Sequence, residues 1–366
     1  MDRESKLVER IARAFRYDAA KKHANHLARL GLGIGDDAAI VSSNGKNDWV
    51  FSCDAFLEGV HFLAKTHPPD AVGYKSLVRA TSDLAAMGAT PRYFLLTLAI
   101  PSTRTGAWLS QFLKGMARAA RSMNMVLVGG DTTKNDTVSI SVTVIGEIAP
   151  GQGVTRSGTQ PGDIMYVSGR LGRAQLGLEL LLQGNIQAKS FPGKPAGRTG
   201  QALRALLQPH LYPEIRLALG AWLAKHRLAS AMIDLSDGLS TDLTRLCQAS
   251  GVGAEIHAAE IPVLALPAGL SKYKRRLKLD SLQMALNGGE DYELLFTIAP
   301  RKVKHLRAAP GFSQLTPIGE ATRTKTLILV GPNGAKKPWK AQGWDPFRRQ
   351  RERLALLSNQ PRDGVH

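Results

Sequence analysis

The sequence predicts an α/β protein made of two domains, and three observations support this. The chain has 366 residues, which is more than one ordinary hydrophobic core requires. Apolar runs of strand length alternate with stretches of helical periodicity through most of it. Turn residues cluster at 150–153, and the alternation begins again after them. We therefore expect domains at 1–150 and 151–347, followed by a basic tail at 348–366 that is disordered.

The first domain begins with a short amphipathic helix at residues 5–17. A strand at 49–51 follows and leads into a Ser-Cys-Asp turn. The next helix spans 70–87, because Asp70 is a suitable N-cap and Gly88 a suitable stop.

Three strands and one helix complete this domain. A mostly apolar strand spans 93–100, and the helix after it carries apolar residues every four positions from Trp108. Residues 125–128 form a short buried strand that runs into a Gly-Gly-Asp turn. Residues 138–148 alternate polar and apolar side chains, which is typical of a strand with one buried face.

The second domain continues the alternation of strands and helices. Residues 184–201 are polar and rich in glycine, so we interpret them as an insertion loop. The other elements are a strand at 164–167, helices at 173–182 and 213–227, a strand at 231–233, a helix that Ser236 and Asp237 cap, a strand at 254–257, a helix at 282–286 and a strand at 292–296.

Five acidic turns lie near the ends of these elements, several of them where an apolar run stops. Carboxylates gathered in one cleft repel one another and take up protons unless a cation keeps them ionised. Carboxylate oxygens of this kind suit Mg²⁺. A single such turn is also explained by an Asp that caps a helix or forms a turn. The turns are Gly35-Asp36-Asp37, Ser52-Cys53-Asp54, Ser82-Asp83, Gly129-Gly130-Asp131 and Asp234-Leu235-Ser236-Asp237.

Several classes of protein are disfavoured by composition. No apolar run approaches the roughly 20 residues that a membrane-spanning helix needs, and residues 1–6 have mixed charge with no apolar segment after them. We therefore expect a cytoplasmic protein without a membrane partner. Two cysteines, Cys53 and Cys247, lack the spacing of a zinc site or a disulfide framework.

The net charge of +18, from 48 Lys and Arg against 30 Asp and Glu, raises the hypothesis of a basic nucleic-acid-binding protein. The distribution of the charge argues against it, since a protein that binds a phosphate backbone has no use for acidic turns. Much of the excess lies instead in short polar stretches: 272–276, 301–304, 336–337 and 348–351.

The usual phosphate-binding motifs are absent from the sequence. It contains no GxxxxGK[ST] loop, no GxGxxG, no HRD/DFG pair and no GxSxG elbow. Phosphoryl transfer needs charge neutralisation and alignment of the reactants, and a ring of aspartates that holds several Mg²⁺ ions supplies both. The acidic turns therefore predict metal-assisted phosphate chemistry.

The acidic turns and the residues around them resemble those of a known family, the thiamine-monophosphate kinases. This family belongs to the superfamily that includes aminoimidazole ribonucleotide synthetase and selenophosphate synthetase. Its signatures occur in order over about residues 33–347. They are Gly33-Ile34-Gly35-Asp36-Asp37, Glu58-Gly59-Val60-His61-Phe62, Ser82-Asp83-Leu84-Ala85-Ala86-Met87-Gly88, Gly129-Gly130-Asp131-Thr132-Thr133, Thr155-Arg156-Ser157-Gly158, Asp234-Leu235-Ser236-Asp237-Gly238 and Gly288-Gly289-Glu290-Asp291-Tyr292.

This resemblance implies ATP-dependent phosphorylation of thiamine monophosphate to thiamine diphosphate. It also implies two α/β domains of the aminoimidazole ribonucleotide synthetase type and a homodimer formed through the N-terminal sheets. The N-terminal domain would bind metal and ATP and form the dimer, and the C-terminal domain would complete the ATP and substrate site.

Residue roles follow from the same resemblance. Asp131, Asp83 and Asp54 are the expected catalytic residues, and ATP contacts fall on Gly130, Asp131, Arg156 and Ser236. Substrate contacts fall on His61, Glu290 and Trp344. The expected magnesium ligands, several ions per site, are Asp37, Ser52, Cys53, Asp54, Asp83, Asp131, Asp234 and Asp237.

One position departs from the family pattern, because Cys53 stands where similar sequences usually have Thr. It can serve as a magnesium ligand only through its backbone oxygen. The alternative within enzymes is another ATP-dependent phosphate-activating member of the superfamily, which would have different residues at His61, Glu290 and Trp344.

Overall fold

The computed structural model describes residues 3–14, 29–43, 45–183, 197–264, 279–307 and 313–346. Predictions for residues 15–17, for 184–196, for the basic stretch 272–276 and for the tail 348–366 lie outside the described residues. The chain divides into a large unit, Ala19–Trp344, and a small one formed by Met1–Asp18 and Asp345–His366. The small unit contains helix α1 (Arg3–Ala14), on which Glu9 and Arg13 pair one turn apart.

The first half of the large unit contains a six-stranded sheet in the order β1-β2-β3-β6-β4-β5. Neighbouring strands are antiparallel except β4 and β5, which are parallel. The strands are Leu30–Leu32 (β1), Ala39–Val41 (β2), Asp48–Leu57 (β3), Thr90–Ile100 (β4), Val126–Lys134 (β5) and Ser139–Ile148 (β6). Helices α2 (Pro69–Met87) and α3 (Ala107–Ser122) accompany it.

One face of this sheet builds the core. Every second residue of β6 is buried, as the alternation in its sequence predicts. Ile140 and Val144 belong to the same buried cluster as Leu77 and Leu84 of α2, which places the helix against this face.

Helix α2 packs very closely against α3. A side chain at Gly73 would place its Cβ 2.0 Å from the carbonyl oxygen of Phe112, and one at Gly115 would place it 1.8 Å from that of Asp70. The helix ends as predicted at Gly88, which has a φ of +74°. It starts differently, because Pro69 occupies the first turn and Asp70 lies inside the helix without capping it.

The second half contains a seven-stranded sheet in the order β13-β12-β9-β11-β7-β10-β8. Its strands are Ile164–Val167 (β7), Ala229–Asp234 (β8), Gly253–His257 (β9), Leu294–Ile298 (β10), Thr316–Thr322 (β11), Leu327–Val330 (β12) and Lys336–Pro338 (β13). Its helices are Arg173–Gln183 (α4), Gly197–Leu211 (α5), Leu217–Lys225 (α6), Leu239–Ser250 (α7), Ser281–Asn287 (α8) and Val303–Arg307 (α9).

Several predicted boundaries were wrong in the second half. Residues 197–201, predicted as loop, begin α5, whose Leu207 and Leu211 are fully buried. Packing of that apolar face outweighs the weak local preference of the glycines. Helix α6 begins at Leu217 rather than at 213, and α7 has Gly238 as its N-cap with no side-chain cap.

Two predictions in the first half were also wrong. Strand β3 continues through 52–54 to Leu57, so Ser52 and Asp54 project from a strand rather than from a turn. Residues 125–128 were expected to form a short buried strand that ends at a Gly-Gly-Asp turn, but β5 continues through that segment to Lys134 and is exposed along its whole length at the edge of its sheet. Among the described helices, none is long and apolar enough to cross a membrane.

Candidate active site

Three aspartates that are far apart in sequence meet at one point. Asp37 precedes β2, Asp83 lies in the last turn of α2, and Asp234 is the last residue of β8. Each offers one carboxylate oxygen, and these oxygens all lie within 4.8 Å of one another. The group therefore draws on both sheets, with α2 between them, and we call it the three-carboxylate group.

The carboxylates in this group oppose one another's ionisation. Burial, followed by the charges of Asp234 and Asp37, raises the pKa of Asp83 well above its usual value. Burial and the charge of Asp37 likewise raise the pKa of Asp234 to about 7. Asp37 Oδ2 is buried and has no hydrogen-bond partner among the described residues. A buried, unpartnered oxygen beside two further carboxylates fits a hard divalent cation such as Mg²⁺.

Polar residues around the group fix its members. The Ser52 hydroxyl donates to Asp83 Oδ2, and Arg156 Nε donates to Asp37 Oδ1 at 3.1 Å. The backbone N–H of Arg156 also donates to both oxygens of Asp36 at 3.1 Å. Arg156 thus connects the loop before β2 to the segment that opens the second half of the chain.

Two other predicted metal ligands pair with arginines instead. Arg79 Nη2 donates to Asp54 Oδ1 at 3.0 Å, and Arg245 pairs with Asp237. Neither carboxylate belongs to the three-carboxylate group. Both still act on it electrostatically, since Asp54 raises the pKa of Asp83 and Asp237 raises that of Asp234.

The structure of one chain does not bring Asp131, Gly130 or the Cys53 side chain into this group. Gly130 and Asp131 lie on the exposed edge strand β5. A Cβ at Gly130 would come within 1.8 Å of the Leu96 carbonyl oxygen, which explains why glycine stands there. Cys53 is exposed on the sheet face opposite α2, and its Sγ lies 3.4 Å from Ser141 Oγ.

Of the predicted substrate residues, His61 lies near Asp54, Arg79 and Glu290. Leu57 donates its N–H to His61 Nδ1 at 3.0 Å, and the His61 ring stacks on Phe56. Burial and the charge of Arg79 lower the pKa of His61 to about 4, against the opposite effects of Asp54 and Glu290. His61 is therefore a neutral ring near the charged residues of the site.

Glu290 and Trp344 both bond to the loop of residues 235–238, which follows β8. The Glu290 N–H donates to the Ser236 carbonyl oxygen at 2.8 Å, and the Trp344 N–H donates to that of Asp237 at 2.9 Å. Ser236 Oγ lies 3.5 Å from Asp234 Oδ1. One loop thus connects the proposed ATP contact Ser236 with two proposed substrate contacts.

Sequence reasoning predicted Arg156 but missed two basic residues of helix α2. Lys75, Arg79 and Asp83 lie at i, i+4 and i+8 on α2, so they share one face of a helix that is otherwise almost entirely buried. Charges at helical spacing inside a buried helix signal a polar cleft, and this pattern could have identified Lys75 and Arg79. His210, which contacts Glu290, has no comparable signal.

Comparison with known proteins gives a consistent result. Residues 35–148 match the N-terminal domain of the AIR synthase related proteins, and residues 160–331 match their C-terminal domain. The chain is 32% identical over 327 residues to the thiamine-monophosphate kinase of Bacillus subtilis (strain 168), covering 88% of this chain and 95% of the relative. It is 38% identical over 318 residues to that of Escherichia coli (strain K12), covering 86% and 92%.

A solved structure of AaThiL complexed with AMPPCP and TMP is similar over most of the chain. The similarity covers 93% of this chain and 97% of the other, with 30% sequence identity and a TM-score of 0.74. The two-sheet arrangement described above is therefore that of this group of proteins.

Proposed function

The chain belongs to the AIR synthase related proteins and, among them, to the thiamine-monophosphate kinases, and from this premise we propose how its cleft works. It is an ATP-dependent phosphotransferase that converts thiamine monophosphate to thiamine diphosphate. One observation carries the assignment to this site: three carboxylates that could hold a metal ion meet there, in a chain that resembles AaThiL complexed with AMPPCP and TMP over 93% of its length.

Mg²⁺ is the ion that we propose for the three-carboxylate group, with Asp37, Asp83 and Asp234 as its ligands. Asp54, Asp131, Asp237, Ser52 and the backbone oxygen of Cys53 remain proposed ligands of further ions. When bound, Mg²⁺ neutralises charge on the phosphate oxygens and aligns donor with acceptor. The buried Asp37 Oδ2 and the raised pKa values of Asp83 and Asp234 support this proposal.

Four residues are proposed to bind the donor, ATP: Gly130, Asp131, Arg156 and Ser236. Arg156 already contacts Asp36 and Asp37, so a phosphate near the three-carboxylate group would lie within its reach. His61, Glu290 and Trp344 are proposed to bind the acceptor, thiamine monophosphate. Asp83, Asp54 and Asp131 are the proposed catalytic residues.

The transfer needs no general base from the protein. The acceptor is a phosphate monoester whose second pKa is about 6, so its oxygens are already ionised at neutral pH. His61 is held neutral by burial and by Arg79, and it serves to orient the acceptor by hydrogen bonding. We therefore propose direct transfer without a phosphoenzyme.

A homodimer formed through the N-terminal sheets is also proposed. Strand β5 exposes Val126, Leu127 and Val128, each to 50% or more, at the edge of its sheet. Tyr93 and Leu95 of the neighbouring β4 are exposed beside them. An apolar edge of this kind is normally covered, and a second copy of the same strand is suited to cover it.

The boundary between the two domains at 150–151 and a cytoplasmic location remain proposals as well. The two sheets end and begin at Ile148 and Ile164, which is compatible with that boundary. ATP and Mg²⁺ are both abundant in the cytoplasm, as the reaction requires.

The decisive experiment is turnover of ATP with thiamine monophosphate in Mg²⁺, compared with the same assay in EDTA. We expect thiamine diphosphate only when the metal is present. ATP turnover with another acceptor would favour a different phosphate-activating member of the superfamily. A salt-dependent nucleic-acid shift without ATP turnover would favour the basic binding protein.

A further inference from the structure

Three buried polar side chains lie behind Glu290, and none of them belongs to the predicted site. They are Lys75 on α2, His210 on α5 and His67 in the segment before α2. Lys75 and His210 are each 1% exposed and His67 is 4% exposed. Polar groups are buried this completely only when their hydrogen bonds are satisfied, so their partners are informative.

The three side chains form a continuous chain of contacts that ends on Glu290. Lys75 Nζ lies 2.8 Å and His210 Nδ1 lies 3.2 Å from the same oxygen, Glu290 Oε2. On its other side, His210 Nε2 lies 3.0 Å from His67 Nε2. We call these residues the Glu290 support.

The contact between His210 and Glu290 sets the direction of the hydrogen bonds along this chain. The Glu290 carboxylate can only accept, so His210 Nδ1 carries the hydrogen and donates it. His210 Nε2 is then an acceptor, and His67 Nε2 donates to it. His67 Nδ1 in turn accepts from the Leu63 N–H at 3.3 Å and the Thr66 hydroxyl at 3.0 Å. Both rings are neutral in this arrangement, and Lys75 supplies the positive charge that balances Glu290.

The support determines which part of Glu290 faces the cleft. Both contacts end on Oε2, and no hydrogen bond between described residues uses Oε1. The side chain keeps 21% exposure, and the backbone is held by the bond from the Glu290 N–H to Ser236 at a φ of +68°. The backbone and Oε2 of Glu290 are thus held by the protein, and Oε1 is the acceptor oxygen that is left for a ligand.

We propose that Lys75, His210 and His67 are positioning residues that hold Glu290 Oε1 where it accepts a hydrogen bond from the organic part of the acceptor. This rests on the proposed function of Glu290. Because Lys75 already balances the charge of Glu290, the support makes Glu290 a directed hydrogen-bond acceptor rather than an uncompensated negative charge. The group that it recognises is therefore an N–H donor on the heterocyclic end of the substrate.

Replacement of His210 tests this proposal. His210→Leu removes the donor to Oε2, and we expect the KM for thiamine monophosphate to rise about ten-fold while the KM for ATP and kcat stay nearly constant. His210→Asn keeps an N–H donor near the place of Nδ1 and should restore most of the affinity. Calorimetric titration with thiamine monophosphate alone should rank the affinities of the three proteins in the same way: the wild type highest, His210→Asn next and His210→Leu lowest.

Tyr212→Phe is the matched control. Its hydroxyl donates to Asp70 Oδ2 at 2.8 Å and so joins the end of α5 to α2 without touching Glu290. We expect a lower melting temperature and an unchanged KM. If His210→Leu does not fold, His67→Phe is the second variant. It keeps an aromatic ring at this position but removes the donor to His210. Its KM for thiamine monophosphate should lie between those of the wild type and Glu290→Ala.

A double-mutant cycle decides whether His210 acts through Glu290. In the Glu290→Ala background, His210→Leu should have no further effect on the KM for thiamine monophosphate. An equal effect in both backgrounds, or a His210→Leu protein with a lower melting temperature and an unchanged KM, would overturn the proposal. Absence of thiamine monophosphate turnover by the wild type would overturn the proposed function together with it.

Discussion

Asp83 occupies a position that is unfavourable for folding by itself. It lies in the last turn of α2, where the helix dipole disfavours a negative charge. Burial and the charges of Asp234, Asp37 and Asp54 raise its pKa well above the usual value. A side chain that the surrounding structure opposes in this way is best explained by a ligand that offsets the cost, which here is a cation.

Asp83→Asn should therefore separate activity from stability. The amide keeps the shape but removes a charge from the metal site, so we expect kcat to fall by about 10²–10³-fold. The melting temperature in EDTA should stay the same or rise, because repulsion among the three carboxylates is relieved. Steady-state kinetics and a melting curve measure both effects.

The control is Asp136→Asn, which changes an exposed carboxylate in the loop between β5 and β6. It should leave both quantities unchanged. A near-normal kcat for Asp83→Asn would show that the three-carboxylate group has no part in the reaction. Asp131→Asn should also lower kcat if the edge strand β5 contributes to the site.

Trp344 is predicted to bind the acceptor through its ring. The thiazolium of the substrate is a flat cation, for which an aromatic face provides about 0.5–2 kcal/mol. Trp344→Ala keeps the backbone bond to Asp237, so we expect the KM for thiamine monophosphate to rise about ten-fold and the KM for ATP to stay constant.

Trp339→Ala is the control for Trp344, since Trp339 packs against the core of the second sheet. Its loss should lower the melting temperature and leave the KM for thiamine monophosphate unchanged. If Trp344→Ala behaves in the same way as Trp339→Ala, Trp344 only packs the end of the chain.

At the scale of elements, helix α2 is the organising part of the site. It contributes Lys75, Arg79 and Asp83 from one face, while its other faces pack against β3, β6 and α3. Gly73 and Gly115 hold α2 and α3 at a separation that no side chain would permit. The polar face is therefore rigidly placed against the second half of the chain, where Glu290 and Asp234 lie.

Strand β5 is the element on which the proposed dimer depends. Val126→Glu places a charge on a residue that is 57% exposed in one chain, and a two-fold contact would bring two such charges close together. We expect the dimer to dissociate, so that light scattering coupled to gel filtration gives half the wild-type mass.

Leu113→Glu provides the comparison, because Leu113 is 44% exposed on α3 and not on the edge strand. This variant should remain dimeric. A wild-type protein that is monomeric at micromolar concentration, or a dimer that survives Val126→Glu, would contradict an interface through β5.

At the scale of the whole molecule, stability should depend on pH through histidines that the fold keeps neutral. Burial and Arg79 lower the pKa of His61 to about 4, whereas a histidine in the unfolded chain titrates near 6.5. Between these values the unfolded chain binds the proton and the folded one does not. His61 therefore contributes stability that is present above about pH 6.5 and is lost as the pH falls towards 4.

His61→Asn, which keeps an acceptor near the place of Nδ1, should remove this dependence. Between pH 6.5 and 4.5 the free energy of unfolding should fall more steeply for the wild type than for the variant. The two slopes should differ by up to about 1.4 kcal/mol per pH unit. Denaturant unfolding at several pH values measures the difference. Parallel curves for the two proteins would mean that His61 is protonated in the folded state.

The sequence by itself determined the family, the alternation of strands and helices and the acidic motifs, although three of the five predicted turns lie within a strand or a helix. These features are local: an apolar period, a glycine stop such as Gly88, or a motif such as Gly288-Gly289-Glu290 is complete within a few residues. The strand at 164–167 and the end of α2 were therefore predicted at their observed positions.

Only the tertiary structure decided which of the polar residues meet. Asp37, Asp83 and Asp234 come together, whereas Asp131 lies on the exposed edge of β5, although all four belong to similar acidic motifs. Lys75 and Glu290 touch across 215 positions of sequence. Such contacts depend on how two sheets close around α2, and no local pattern encodes that closure, because burial and charge pairing are properties of the assembled chain.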